Sequence, residues 1–332
     1  MGSANQGYRA VRESVGWRQL SERGFVAVRG PDRVDFLHNM ISNDVEGMTI
    51  GQGRHGTLLT PTGKMVADFH YYLLEGLVLL TLSLERIAPL LATLDGYIVM
   101  DDVTLEDLTP TRVTFSIQGP ASEELVGGWL NEAPPRVGFA REIGFEGSLL
   151  WWVNRPSLGE QGSELFVDPA VADQVTSHLE GMAGAGVVRV SDQTWALLQL
   201  EEGQPRFGVD IDETSNPLEA GFHDAISFEK GCYVGQEVIA RATHIGGIPR
   251  RLVRVELDGE IGVPAGAALL TSDGERRVGV VTSCRWSPVN ERVIGLARVR
   301  TKAAASGTVL QGEAGNGSLI QVRVVEHFPA EV

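Results

Sequence analysis

The chain has 332 residues, of which 43% are hydrophobic, and its 43 acidic and 28 basic side chains give a formal net charge of -15. This length suffices for two or three domains, and the apolar fraction is normal for a globular protein with a sizeable core. The acidic excess repels nucleic acid and anionic lipid at long range, so the composition argues against direct binding of either one.

The cysteine count and the apolar runs bear on the location of the protein. Cys232 and Cys284 are its 2 cysteines, too few for a disulfide framework, which favours a reducing compartment. Residues 1–10 are polar and lack the apolar core of a signal peptide, and the longest apolar run, at residues 77–84, is far too short to span a bilayer. These features predict a cytoplasmic protein without a membrane segment.

Strand-like and helix-like segments alternate over the first two thirds of the chain. Residues 25–28 are typical of a strand, and Pro31 suits the first turn of a helix that continues with Val34, Leu37 and Ile41 at helical spacing. Turn signals then separate several further apolar segments. The elements predicted after this helix are strands at 57–60, 65–74 and 77–82, a helix at 88–94, and strands at 103–108 and 113–117.

A second round of the same kind begins at Pro120. Its predicted elements are a helix to residue 130, strands at 139–145, 149–154 and 164–167, a helix at 169–182, and a helix from an N-cap at Asp192 to residue 200. Strand pairs interleaved with helices indicate an α+β fold built on mostly antiparallel sheets.

The pattern changes at Arg250, where short β-rich segments recur between glycine-bearing turns. These segments lie at residues 252–257, 278–286, 293–299 and 319–325. They predict a small all-β barrel or sandwich. We therefore place a domain boundary at residues 246–249, which gives a first region over residues 8–248 and a C-terminal domain over residues 249–328.

The most informative stretch is Lys230-Gly231-Cys232-Tyr233-Val234-Gly235-Gln236-Glu237, which leads into a helix-like segment. A thiol near an ammonium group and a helix N-terminus favours the thiolate, which is the reactive form. The glycines allow a ligand to approach the backbone closely. The residues alone leave two interpretations open: Cys232 is a reactive or ligand-contacting group, or it is a small buried residue in a glycine-rich turn.

The sequence does not indicate a resident metal centre. A single cysteine cannot supply the four thiolates that an iron–sulfur cluster normally needs. Neither CxxC nor HExxH spacing occurs, and the histidines are scattered. Cys284 is distant from Cys232 and lies in a strand-like run of the predicted barrel. We therefore predict no metal site.

The stretch that contains Cys232 resembles the K-G-C-Y-x-G-Q-E signature of the YgfZ family, which is related to the glycine-cleavage T-protein. Further blocks resemble that family in the expected order, and the similarity covers residues 8–328. These blocks lie at residues 30–45, 60–69, 118–121, 207–211 and 250–252.

The resemblance implies an architecture and a role. Members of the superfamily have three domains in a ring around a central folate-binding cavity, namely two ferredoxin-like α+β units and an all-β barrel. The implied cofactor is tetrahydrofolate. The implied role is that of an accessory protein in the assembly, maintenance or repair of iron–sulfur enzymes, with a connection to tRNA modification. The implied partners are the folate molecule and iron–sulfur client or assembly proteins.

The resemblance also assigns a folate contact. T-protein relatives bind the pterin ring through the glutamate of an R-x-E-A-G stretch, and the matching run at residues 199–203 places this role on Glu201. A carboxylate accepts two hydrogen bonds at once from a ring N–H and an amino group. Gln199 stands in place of the arginine and Glu202 in place of the alanine. From the residues alone, the favoured interpretation of Glu201 is a solvated residue at a helix end.

One departure from the T-protein pattern concerns catalysis. T-protein relatives carry a G-G-x-x-D-D stretch whose first aspartate is needed for transfer, and the matching run at residues 63–68 places Ala67 at that position and Asp68 at the second aspartate. Alanine cannot hydrogen-bond to an amine or orient it. Asp68 is one residue further along a predicted strand, so its side chain should lie on the opposite face. The standard glycine-cleavage reaction is therefore not expected.

The remaining assignments follow from the signature. Cys232 becomes the central functional group and Lys230 its electrostatic neighbour. The other signature positions shape a loop that contacts the folate: Gly231, Tyr233, Gly235, Gln236 and Glu237. Arg241 matches a basic position after the signature, where it pairs with the glutamate tail of the folate, with Glu237, or in an ordinary surface ion pair.

Three functional hypotheses of different classes remain open. The first is a folate-binding accessory protein for iron–sulfur enzymes that depends on Cys232. The second is a one-carbon transferase of the T-protein type that acts on another donor. The third is a folate-binding module without catalysis.

Overall fold

The computed structural model describes residues 3–243 and 247–327 and divides into two compact units. The first unit consists of Met1–Leu58, Val66–Leu198 and Ser227–Tyr233. The second unit consists of Leu59–Met65, Gln199–Ile226 and Val234–Val332. The chain therefore passes from the first unit to the second within the signature, after Tyr233.

Eight α-helices occur in the described part of the chain. They are α1 (Ser3–Glu13), α2 (Arg33–Met40), α3 (Ile87–Asp95), α4 (Ser122–Leu130), α5 (Ala172–Gly181), α6 (Asp192–Glu201), α7 (Pro217–Ala220) and α8 (Gln236–Arg241). None of the helices described is long and apolar enough to cross a membrane.

Two sheets form the first unit. The five-stranded sheet contains, in spatial order, β3 (Gly53–Leu59), β4 (Met65–Leu74), β5 (Leu77–Ser83), β2 (Arg23–Arg29) and β6 (Thr104–Asp107). The six-stranded sheet contains β11 (Val187–Arg189), β1 (Val15–Gln19), β7 (Val113–Gln118), β10 (Gly162–Val167), β9 (Ser148–Asn154) and β8 (Ala140–Phe145). In the latter sheet β1 pairs with β11 in parallel, whereas the other pairs are antiparallel.

Side chains from both sheets meet in one buried apolar cluster of the first unit. Phe25 and Tyr72 come from the five-stranded sheet, and Trp151 and Phe166 come from the six-stranded sheet. The rings of Phe25 and Phe166 meet edge to face with 5.0 Å between their centroids. Burial of each such side chain contributes roughly 1.5 to 3 kcal/mol, so the two sheets hold together mainly by apolar contact.

The second unit contains a closed barrel. Its strands in spatial order are β12 (Arg250–Leu257), β15 (Arg292–Arg300), β14 (Arg277–Ser287), β13 (Ala268–Thr271), β16 (Val309–Glu313) and β17 (Leu319–His327). Alternate residues of the strands point inward, and valine and leucine side chains fill the interior. Closure pairs every strand on both sides, so the barrel has no open edge.

The structure confirms the predicted α+β class and decides for a barrel over a sandwich. β4 coincides with the strand predicted at residues 65–74. The helix predicted from Pro31 begins instead at Arg33, because Gly30 adopts a φ of 104° and Asp32 occupies the N-cap. Of the predicted domain limits, residue 246 and residue 328 lie outside the described residues.

Several short or polar elements were not predicted. Helix α1 is polar overall, but it buries Tyr8 and Val11 on one face. Helix α7 is a single turn that begins after Asn216 in a capping box. The remaining elements without a sequence prediction are β1, β11, β13 and β16.

Candidate functional site

The Lys230 side chain anchors the first half of the signature within the first unit. Its ammonium group donates to the carbonyl oxygens of Ile41 at 2.8 Å and Asn43 at 3.1 Å, and also to that of His38. A protonated lysine has three N–H donors, so each donor finds one carbonyl. The ammonium therefore ties residues 227–233 to the C-terminal end of α2 and the residues that follow it.

Burial works against the charge of this ammonium group. It lowers the pKa of Lys230 from 10.5 to about 8, while the nearby carboxylates of Asp44 and Glu46 act in the opposite direction. Two backbone contacts support the same segment, because the Lys230 N–H donates to Ser227 Oγ at 3.2 Å and the Ser227 N–H donates to the Ser42 carbonyl at 2.9 Å. At neutral pH the lysine stays mostly protonated and keeps its three donors.

Cys232 is a free, exposed thiol. It lies between Lys230 and Tyr233, and both of these side chains are fixed by contacts within the unit. The Tyr233 ring is buried beneath the ammonium group at 5.2 Å. Burial raises the pKa of the Tyr233 phenol to about 12, so the ring stays neutral. The interpretation of Cys232 as a buried structural residue is therefore wrong, and the thiol is accessible to a reaction partner.

The two signature glycines differ in what they do. Gly231 is exposed, and an added Cβ would meet nothing within 4 Å. Gly235, in the second unit, adopts a φ of 83°, and an added Cβ would lie 2.6 Å from the Thr60 carbonyl oxygen. Only glycine fits this left-handed position against the 60–64 turn.

Helix α8 carries the end of the signature in the second unit. Gln236 is its first residue, and Ile239 is its buried contact with the rest of the unit. Glu237 and Arg241 are exposed, four positions apart. Both side chains are therefore available to a ligand, and their predicted folate contacts stay predictions.

Glu201 is buried at the end of α6 in the second unit, with 7% of its surface exposed. Its Oε1 accepts a hydrogen bond of 2.7 Å from Ser287 Oγ, and its backbone carbonyl accepts one from the Arg254 guanidinium. Ser287 Oγ in turn accepts a hydrogen bond from Asn290 Nδ2 at 2.8 Å. The interpretation of Glu201 as a solvated residue is therefore wrong, and the carboxylate is held in one orientation.

Three further carboxylates bind the segment that carries Glu201 to the barrel of the second unit. Asp210 accepts from the hydroxyls of Thr282 at 2.8 Å and Ser283 at 2.6 Å. Two ion pairs follow along the same segment: Asp212 with Arg298 at 2.8 Å, and Glu219 with Arg250 at 3.4 Å. These polar contacts fix the position of Glu201 relative to β14.

The Ala67 position is as the sequence predicts. Ala67 is fully buried on one face of β4, and Asp68 lies on the other face. The Asp68 carboxylate faces His55, with 4.0 Å between Oδ2 and Nε2. Burial raises the pKa of Asp68, although the charge of His55 opposes this effect. Ala67 offers no group that acts on an amine, and Asp68 does not take its place.

Asp68 belongs to a polar cluster inside the first unit that sequence analysis did not find. The rings of His55 and His70 stack with 4.9 Å between their centroids. Burial, together with nearby positive charge, lowers the pKa of His70 well below 6.5. The other members are Arg155 and Glu164, 3.3 Å apart, and Arg23, whose guanidinium lies 3.9 Å from Glu164.

The only local signal for this cluster is the alternation of Asp68 and His70 on one strand face. The remaining members come from other strands and from loops far away in sequence. Among the residues that the structure describes, no group of three or more His, Cys, Asp or Glu side chains is placed to hold a metal ion. The cluster is therefore a network of ion pairs and stacked imidazoles.

Comparison with known proteins gives matches along nearly the whole chain. The family model of the GCVT N-terminal domain matches residues 2–230, and that of the glycine cleavage T-protein C-terminal barrel domain matches residues 250–329. An aminomethyltransferase of Rubrobacter xylanophilus is 31% identical over 309 residues, which is 91% of this chain and 81% of the relative. A protein of Arabidopsis thaliana named as a chloroplastic transferase candidate is 29% identical over 309 residues, or 91% of this chain and 69% of the relative.

A solved structure of a similar protein shares the fold. It is the glycine cleavage system aminomethyltransferase T from Bartonella henselae, with a TM-score of 0.87, coverage of 97% of this chain and 88% of that chain, and 23% sequence identity. At this level of identity the likeness concerns the fold alone.

Proposed function

Because the chain belongs to the glycine-cleavage T-protein family, we propose that it binds tetrahydrofolate and that Glu201 binds the pterin ring. The observation that supports this role is the burial of the Glu201 carboxylate together with its orientation by Ser287. A buried carboxylate costs free energy unless hydrogen-bond donors compensate for the lost water. The N–H and amino groups along one edge of a pterin are such a pair of donors.

Calorimetric titration of tetrahydrofolate under anaerobic conditions tests this assignment. Glu201→Gln keeps the size of the side chain and can still accept from Ser287, but it loses the charge. We expect wild type to bind saturably and Glu201→Gln to bind at least tenfold more weakly, which is about 1.4 kcal/mol. Glu213→Gln, which changes an exposed carboxylate on the same segment, is the matched control and should bind like wild type. Absence of binding to wild type would contradict the proposal that the protein binds tetrahydrofolate.

For the cellular role, we propose a YgfZ-type accessory protein for iron–sulfur enzymes, in the cytoplasm, rather than an aminomethyltransferase of glycine cleavage. Two observations support this role. The transfer position holds the buried methyl group of Ala67, and the signature presents an exposed thiol at Cys232. An accessible thiol can form a transient bond to a client, whereas a single thiol cannot retain a whole cluster. The partners would be iron–sulfur client or assembly proteins, including enzymes of tRNA modification.

Complementation of a strain that lacks the gene tests the accessory role. The readout is the activity of a cytoplasmic iron–sulfur enzyme, together with the level of a tRNA modification that depends on iron–sulfur chemistry. We expect wild type and Cys284→Ser to restore both readouts, and Cys232→Ser to fail although the protein accumulates normally. Full restoration by Cys232→Ser would show that the thiol is not used.

A one-carbon transferase is the second candidate, and it is favoured by the relatives that are named aminomethyltransferase. Incubation with tetrahydrofolate and an aminomethyl-dihydrolipoyl donor measures it directly as methylene-tetrahydrofolate. We expect no product from wild type because of Ala67. Product at a rate above the uncatalysed one would establish the transferase instead. If Glu201→Gln loses folate but supports every cellular readout, the protein is a folate-binding module without catalysis.

A further inference from the structure

A pocket on the barrel of the second unit is lined by four arginines. It has a volume of about 330 Å³, and its walls are Arg250 at the start of β12, Arg277 at the start of β14, and Arg298 and Arg300 at the end of β15. Val278, Gly279 and Val280 complete its lining. We refer to it as the arginine pocket. Four guanidinium groups at one place are unexpected in a chain whose formal net charge is -15.

The carboxylates of the same unit neutralise only part of this charge. Arg298 pairs with Asp212 at 2.8 Å, and Arg250 pairs more weakly with Glu219 at 3.4 Å. Arg277 and Arg300 are exposed, and neither has an acidic partner among the side chains of residues 5–243 and 247–325. Four guanidinium groups therefore face two carboxylates, and the two unpaired ones are available to an anion.

The strand register shows that barrel stability does not explain Arg300. Arg250 lies directly opposite Arg300 in the antiparallel pair of β12 and β15. Like charges opposite each other on adjacent strands destabilise a sheet. Arg298 and Arg300 are two residues apart, so both side chains emerge on the same face. An anionic ligand would turn this repulsion into favourable contacts.

The chemistry of the side chains identifies the class of ligand. Guanidinium groups are planar, stay charged at every working pH, and bind phosphate oxygens in a bidentate manner. A concave site of this size suits a small molecule rather than a flat protein surface.

The arginine pocket is separate from the proposed pterin contact. Glu201 binds Ser287, which ends β14, whereas Arg277 begins the same strand. Ten residues of strand at 3.3 Å each span roughly 30 Å along the chain. We propose that the arginine pocket binds a small molecule that carries a diphosphate group, with Arg277 and Arg300 as the principal contacts.

Titration of inorganic diphosphate by calorimetry at low ionic strength tests the proposal. Wild type should bind one diphosphate saturably, and Arg300→Ala and Arg277→Ala should each weaken binding at least tenfold, which is about 1.4 kcal/mol. Arg276→Ala is the matched control, because it removes the same charge from an exposed neighbour that does not line the pocket. Glu201→Gln should leave diphosphate binding unchanged, which separates this site from the folate proposal.

Thermal unfolding provides a second readout that does not depend on the calorimeter. Diphosphate should raise the melting temperature of wild type and of Arg276→Ala, but not that of Arg300→Ala. Without ligand, Arg300→Ala should melt no lower than wild type, because the change removes a like-charge pair. Equal loss of binding in Arg276→Ala would overturn the proposal, since general charge would then explain it. Tighter binding of a tri-glutamate peptide than of diphosphate would also overturn it, since the site would then be one for carboxylates.

Discussion

The two halves of the signature are held by different physical devices. In the first unit, Lys230 holds residues 230–233 through an ammonium group that donates to three backbone carbonyls. In the second unit, Gly235 holds the start of α8 through a backbone conformation that excludes every side chain. The first device depends on a proton, whereas the second is purely steric. The difference teaches that the stability of the segment that presents Cys232 depends on pH, whereas the contact that holds the start of α8 does not.

Removal of the Lys230 ammonium is expected to have the largest effect on stability. Lys230→Met keeps the length of the side chain but leaves three carbonyls without a donor, which should lower the free energy of unfolding by about 2 to 4 kcal/mol. Urea unfolding followed by circular dichroism measures the change. Lys302→Met, which alters an exposed lysine, is the control and should unfold like wild type. Equal stability of the two variants would show that the carbonyls do not need the ammonium.

The close contact at Gly235 predicts that alanine substitution destabilises the protein more at Gly235 than at Gly231. Gly235→Ala forces a Cβ against the Thr60 carbonyl at a φ of 83° and should cost about 1 to 3 kcal/mol of unfolding free energy. Gly231→Ala enters open space and should change the same quantity by no more than about 0.5 kcal/mol. Urea unfolding of both variants decides the matter. A larger loss in Gly231→Ala than in Gly235→Ala would contradict the assignment of roles.

Titration of the Lys230 ammonium group is expected to have a smaller effect on stability, and this effect depends on pH. The pKa of Lys230 is about 8 in the folded protein and 10.5 when the side chain is free, so between these values the unfolded chain binds more protons. The free energy of unfolding should therefore rise with pH across this window. The same rise should be absent from Lys230→Met, and the difference between the two urea titrations isolates it. A fall with pH in wild type relative to Lys230→Met would mean that the carbonyls hold the proton above pH 10.5.

Local sequence patterns predicted the regular elements well and the site only in part. β4 is flanked by turn signals on both sides, so its limits at Met65 and Leu74 follow from the sequence. The burial of Glu201 does not follow, because its partner Ser287 lies 86 residues away on a barrel strand. The three carbonyl partners of Lys230 are more than 180 residues upstream and carry no side-chain signature. Long-range pairing of this kind is invisible to periodicity and spacing.

The arginine pocket and the interior polar cluster illustrate the same limit in both units. Arg298 and Arg300 are two residues apart on one strand, and Asp68 and His70 are two residues apart on another. This spacing predicts that the members of each pair share a face of the sheet. Only the strand register shows that Arg250 stands opposite Arg300. Only the packing of the first unit brings Glu164 to Arg155. Sequence alternation thus predicts which residues share a face, but not which other strand supplies their partners.

Substitution of Cys232, the exposed thiol in the segment that Lys230 anchors, is expected to have the smallest effect on stability. Cys232→Ser changes an exposed side chain, so the free energy of unfolding should move by no more than about 0.5 kcal/mol. Reactivity should nevertheless differ strongly between the two cysteines. Burial raises the pKa of the Cys284 thiol, and its Sγ donates to the Val263 carbonyl at 3.0 Å.

Iodoacetamide labelling followed by peptide mass spectrometry should therefore show Cys232 reacting faster than Cys284, on the order of tenfold or more. Labelling of unfolded protein in urea is the control, and there the two rates should converge. Equal rates in the folded protein would mean that the barrel opens at Cys284 as readily as solvent reaches Cys232. A rate at Cys232 that stays the same in Lys230→Met would show that the lysine acts as an anchor of the segment rather than as an activator of the thiol.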